Sequence, residues 1–237
     1  MSTRYAWWIM TWLCISMWSG GATFAASQLD IGVIAPSPGT ISFAGGSAPL
    51  VGTNIEVDEV VGLDTPANNE TVAFLTNAVM NFETGNLTST GPNNWMFGNG
   101  GFFNITGGVD FPDMTPDIPD GTTLLSGTFE VVQVFKLGPF FTVGIAAFAD
   151  RKHEDLVEFY DMPKGDYMGN MNLSFSTFGN PPTGDAEADP FESVAIFSGD
   201  ILNTPPVVPT PTAVWMGLSC LALPVVAAIR RRRLMRG

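Results

Sequence analysis

Cysteine is nearly missing from this chain of 237 residues: there are two, Cys14 and Cys220, and none between them. A folded region in that interval must hold itself by burial, without disulfides. Histidine is scarcer still, with His153 the one imidazole. A nucleophile–histidine–carboxylate site would have to use it, no G-x-S-x-G elbow is present, and a zinc site needs three or four Cys or His ligands. His153 stands in ADRKHEDLVEFYD between two strand-like runs and reads as an exposed loop residue. Basic residues are almost absent from the interior. Lys136, Arg151, Lys152 and Lys164 face all 23 acidic residues, which fall between Asp30 and Asp200, and leave a net charge of −19. Such a charge argues against nucleic acid or an anionic membrane surface as partner. Lys136, Arg151 and Lys152 lie close together in sequence, but three are too few to make a patch.

What is present is concentrated first at the ends. Arg4 precedes an apolar stretch rich in Trp, Ile, Met and Leu, followed by small residues and Thr23-Phe24-Ala25. This is the pattern of a secretory signal peptide over 1–25, cut between Ala25 and Ala26. At the other end, 213–229 carries no charge and is followed by Arg230, Arg231, Arg232 and Arg233. A helix of that length is roughly 25 Å long and can span a hydrocarbon core of about 30 Å with its arginines snorkelling. Arginine is costly to move through lipid and collects on cytoplasmic flanks, so the expected topology leaves 230–237 as a basic cytoplasmic tail and everything before 213 outside.

The C-terminal segment resembles a PEP-CTERM sorting signal. That signal is a short Pro-containing motif, an apolar span and a terminal arginine cluster. Pro209-Thr210-Pro211 stands where Pro-Glu-Pro is usual, and 212–218 reads TAVWMGL, similar to the planctomycete-like P-x-P…AVWMGL variant. The resemblance covers about thirty of the 237 residues. It implies processing near Pro209, Thr210 and Pro211 by an exosortase-type membrane enzyme, and a final place at the cell surface or in the extracellular matrix, often with exopolysaccharide. Wall-sorting and lipid-anchor signals fit less well, because no LPxTG motif occurs and a GPI-type tail does not end in arginines. The stretches TISFAGGSAPLVGTNIEVDEVVGLDTPANNE and LLSGTF also resemble other exported passengers that carry this tail.

Between the ends the pattern is β throughout. TISFAGG, NIEVDEVVGL, TVAFLTNAVMNFETG, GGFFNITGGVDF, TLLSGTFEVVQVFKLG, FFTVGIAAFAD, NMNLSFSTFGN and ESVAIFSGDIL read as strands or strand pairs, punctuated by Gly and Asn. In SGTFEVVQVFK, strict alternation puts Phe129, Val131, Gln133 and Phe135 on one face, and Thr128, Glu130, Val132 and Val134 on the other. No amphipathic helix is evident. The expected fold class is all-β, an antiparallel β-sandwich or jelly roll of eight to eleven strands. The expected organisation is signal peptide 1–25, acidic extracytoplasmic domain 26–203, Pro-rich linker with sorting motif 204–212, transmembrane helix 213–229 and basic tail 230–237.

Few residues carry chemistry. With 23 acids a carboxylate pair can always be drawn, so glycosidase-like pairing singles out nothing, and the chain reads as no enzyme. Asp110, Asp113, Asp117 and Asp120 recur in VDFPDMTPDIPDGT, and Asp185, Glu187, Asp189 and Glu192 in GDAEADPFE. Either stretch could offer oxygen ligands to calcium or be a solvated acidic loop; neither has EF-hand spacing. Trp95, in GPNNWMFGNGG, either stacks on a sugar ring or tucks onto the core. The sequence therefore points to an exported envelope or matrix structural protein, with an extracellular polysaccharide-binding module, with or without calcium, as the alternative.

Overall fold

The computed structural model describes residues 27–112, 117–138, 140–177 and 189–205. Ala25, Ala26, Pro209, Thr210, Pro211, the expected span 213–229 and Arg230 to Arg233 lie outside the described residues. Among the described residues no helix is long and apolar enough to cross a membrane.

Among the described residues eleven strands follow one another: β1 (Gln28–Val33), β2 (Thr40–Phe43), β3 (Pro49–Glu56), β4 (Glu59–Leu63), β5 (Val72–Gly91), β6 (Asn94–Phe97), β7 (Gly100–Asp110), β8 (Ile118–Leu137), β9 (Phe140–Lys152), β10 (Tyr167–Thr177) and β11 (Phe191–Thr204). A short helix, α1 (Glu154–Phe159), joins β9 to β10. The all-β expectation holds, and every pairing between strands is antiparallel.

All eleven strands belong to one sheet, and that sheet closes on itself. One circuit runs β1–β4–β5–β7–β8–β9–β10–β11 and returns to β1, where Leu29 stands opposite Asn203. A second runs β11–β2–β3–β5–β6–β8 and back through β9 and β10. The long strands β5, β8 and β11 belong to both circuits and change short partners along their length. Every strand is thus paired on both flanks, which removes the open edges through which sheets aggregate. A ring of about eight strands is just wide enough for side chains to fill.

Phenylalanine does much of the filling. Phe43 on β2 meets Phe97 on β6 at 5.6 Å between ring centroids, although those strands are not neighbours. Phe82 meets Phe129 over β7, and Phe103 meets Phe148 over β8, each pair bridging the strand between them. These rings belong to one continuous core that includes residues of all eleven strands. Burying each such side chain stabilises the fold by about 1.5–3 kcal/mol, the chief resource of a region without disulfides.

Strict alternation fails along β8. Phe129 is buried, yet so are Val132 and Val134, while Val131, Gln133 and Phe135 are only half-buried. The register steps from Phe129 opposite Phe148 to Val131 opposite Ala147, leaving Glu130 as an extra residue. A bulge of this kind moves every later side chain to the other face.

Helix α1 was not foreseen from the sequence. Its six residues make under two turns, too short for a 3.6-residue period to show. It is stabilised by what it covers. Leu156, Val157 and Phe159 are buried, and the Phe159 ring lies 4.5 Å from that of Phe111, just past β7. Tyr160 donates its hydroxyl hydrogen within reach of two carbonyls, Val60 O at 2.9 Å and Thr71 O at 3.0 Å. The side chain of Asn68 donates to Phe159 O at 2.7 Å. The segment thereby plugs the end of the ring formed by the ends of β4, β7 and β9 and the start of β5.

Candidate functional site

The same end of the ring holds a buried charge pair. Asp150 and Lys152 are two residues apart near the end of β9, and both side chains are wholly inaccessible to solvent. Lys152 Nζ donates to Asp150 Oδ2 at 2.7 Å and sits 3.9 Å from the centre of the Tyr167 ring. Tyr167 is the cross-strand partner of Asp150, and its hydroxyl donates to Pro163 O at 2.6 Å, which fixes the ring in place. Gly127 of β8 pairs with Asp150 from the other side. A Cβ at Gly127 would run into Ala149 O and come within 2.9 Å of Asp150 Cβ, so only glycine allows so close an approach.

Burial sets the electrostatics of this pair. Removing the amine from water pushes Lys152 down to about 8, against the opposing pull of Asp150. Burial likewise pushes the Asp150 carboxyl up, with Lys152 opposing. Both shifts favour uncharged forms. Asp150 Oδ1 is buried and has no hydrogen-bond partner among the described residues. Tyr167 is pushed up to about 12, chiefly by burial and then by Asp150.

Beside the pair lies a cleft of about 200 Å³, lined by Arg151, Lys152, Glu154, Lys164 and Tyr167 among others. Three of the four basic residues between Asp30 and Asp200 are gathered here, although Lys164 is twelve residues from Lys152 in sequence. Each meets a carboxylate: Arg151 Nε lies 2.5 Å from Asp166, and Lys164 Nζ lies 2.9 Å from Glu154. Those two pairs are largely exposed and contribute little to stability. His153 is half-buried rather than free in a loop. It caps α1, its Nδ1 accepting the Asp155 N–H at 3.3 Å.

The sequence-predicted candidates do not join this site. Trp95 is fully buried in β6, 5.6 Å from Phe141 and 6.0 Å from Phe191 between ring centroids. It offers no face to a sugar, which corrects its reading as a stacking platform. Its position in β6, paired with β5 and β8, turns the ring inward.

Asp110, Asp117 and Asp120 are all exposed, and Asp113 lies outside the described residues. Asp120 accepts from Thr76 Oγ1 at 2.5 Å and Asn77 Nδ2 at 2.6 Å, bonds that hold its carboxyl below the usual range. Asp117 Oδ1 accepts the Phe111 N–H at 3.2 Å. Asp189 and Glu192 are exposed, while Asp185 and Glu187 lie outside the described residues. Among the described residues no three His, Cys, Asp or Glu side chains converge in a way that could hold a metal ion.

One acidic group stands out elsewhere. On the outer wall, Gly32 of β1 faces Glu59 of β4 and Asp200 of β11, with Asp30 two residues away. Burial raises the Asp30 carboxyl, helped by Asp200 and then Glu59.

Sequence reasoning missed the Asp150–Lys152 pair because a D-R-K run reads as a solvated charge cluster. The available signal was the phase of β9: Phe148, Asp150 and Lys152 follow one another at period two behind a buried aromatic. No protein family, curated protein or solved structure matches the chain.

Proposed function

We propose that this is an exported structural protein of the cell envelope or extracellular matrix, processed at a C-terminal sorting signal. The observation that carries the reading is the pairing of the first strand with the last. Leu29 stands opposite Asn203, so the chain enters and leaves the sheet side by side. The signal-cleavage position at Ala25 and Ala26 precedes β1, and the Pro209-Thr210-Pro211 motif follows β11 by a few residues. Cutting at either position leaves every strand pairing intact. A sandwich-like body with no open edge, packed by aromatics and free of disulfides, suits a load-bearing or space-filling role outside the cell. Its excess of acidic residues suits a hydrated, mutually repelling surface. The exosortase-type enzyme and exopolysaccharide remain the partners that the tail implies. The polysaccharide-binding alternative loses its anchor with Trp95 in the core.

The test is intact mass spectrometry of the protein extracted from its native envelope. The expected product starts near Ala26 and ends near Pro209 to Pro211. A product that still ends at Gly237 overturns the sorting reading and makes the chain an ordinary single-span membrane protein.

A further inference from the structure

We propose that Asp150 and Lys152 condense within the folded protein into an intramolecular amide, a covalent bond between Lys152 Nζ and Asp150 Cγ. This does not depend on the export reading. The geometry differs from that of the exposed pairs at the neighbouring cleft. Nζ lies 2.7 Å from Oδ2, both side chains are sealed from solvent, and β9 holds them at i and i+2 on one face. The amine also lies over the face of the Tyr167 ring. Among the described residues Asp150 Oδ1 has no hydrogen-bond partner. Reactive groups so placed are a bound pair at very high effective concentration, in surroundings that exclude the competing water.

The step balances within the pair. The Nζ–H···Oδ2 hydrogen bond first carries one proton from the ammonium to the carboxylate. This leaves a neutral amine and a neutral carboxylic acid, the forms that burial favours. The nitrogen lone pair then adds to Cγ, forming the C–N bond. The Cγ–Oδ2 bond breaks, and Oδ2 leaves as water with the proton it received and a second one from the nitrogen. Oδ1 remains as the amide oxygen. One positive and one negative charge disappear together, and no oxidant, reductant or cofactor is consumed. The product replaces a buried ion pair by a neutral amide, which is cheaper to hold in an apolar interior.

Tryptic peptide mapping of the unfolded full-length chain tests this directly. Cleavage after Arg151 would normally separate Asp150 from Lys152. The expected result is two peptides that stay joined across Asp150 and Lys152, lighter together by one water. Cleavage after Lys152 is lost, and its amine resists acylating reagents in urea. Chain kept in urea from synthesis lacks the link and acquires it only on refolding; Lys152→Arg never acquires it. Separate peptides of full mass from the folded protein, with Lys152 freely acylated, would overturn the proposal. So would a water loss that maps to Asp120-Gly121, where an Asp-Gly step forms a succinimide without any lysine.

Discussion

Replacing Trp95 by alanine separates a core residue from a ligand platform. The indole is fully buried and touches Phe141 and Phe191. Removing about 200 Å² of aromatic surface from the interior forfeits about 5 kcal/mol at 25 cal/mol per Å², and core Trp-to-Ala changes cost about 3–5 kcal/mol. Trp95→Phe should behave differently. It keeps much of the ring packing, and it deletes an indole N–H that is buried without a hydrogen-bond partner among the described residues. An unpaired donor of that kind costs about 1–3 kcal/mol, enough to offset most of the lost volume. Urea unfolding of the full-length chain in detergent, followed by far-ultraviolet circular dichroism, reads both effects. With a slope of about 2 kcal/mol per molar urea, Trp95→Ala should lower the midpoint by about 2 M and Trp95→Phe by less than about 0.5 M. A Trp95→Ala protein as stable as its parent that no longer binds glycans on an array would refute this reasoning, since only an exposed ring gives that combination.

Gly127→Ala should destabilise by about 1–3 kcal/mol in the same unfolding assay, because its Cβ overlaps the β9 backbone at Ala149 and Asp150. Tyr160→Phe should cost about 1–2 kcal/mol by stripping the hydroxyl that serves Val60 O and Thr71 O under α1, and hydrogen exchange should rise first in β4. Asp30→Asn should raise the urea midpoint at pH 7. Burial, Asp200 and Glu59 raise the folded carboxyl above its ordinary 3.8, so ionisation penalises the parent above that window. The advantage should fade as pH falls through 3.8, below which the parent's Asp30 is protonated in both states; a gain that persists at pH 3 would contradict the electrostatic cause. Asp120→Ala should loosen the β5 irregularity at Thr76 and Asn77, visible as faster amide exchange there.

The sequence by itself determined the class of fold. Period-two runs broken by Gly and Asn allow little besides antiparallel strands, and the missing cysteines leave burial as the means of holding them. It also determined the acidic character of the domain, because net charge is a sum that no fold changes. What only the tertiary structure decided depends on residues far apart in the chain. Closure of the sheet rests on Leu29 meeting Asn203, a long-range pairing with no local signature. The inward turn of Val132 and Val134 rests on a bulge at Glu130 that local alternation cannot announce. Trp95, in a turn-like stretch of Gly and Asn, became core because β5 and β8 pair on either side of it. Lys152, one of three basic residues close together in sequence but too few to make a patch, became a sealed partner of Asp150 because β8, β10 and α1 close over the end of β9. A side chain's chemistry follows its solvent, and in a closed sheet the solvent of each position is settled by strands that lie far away in sequence.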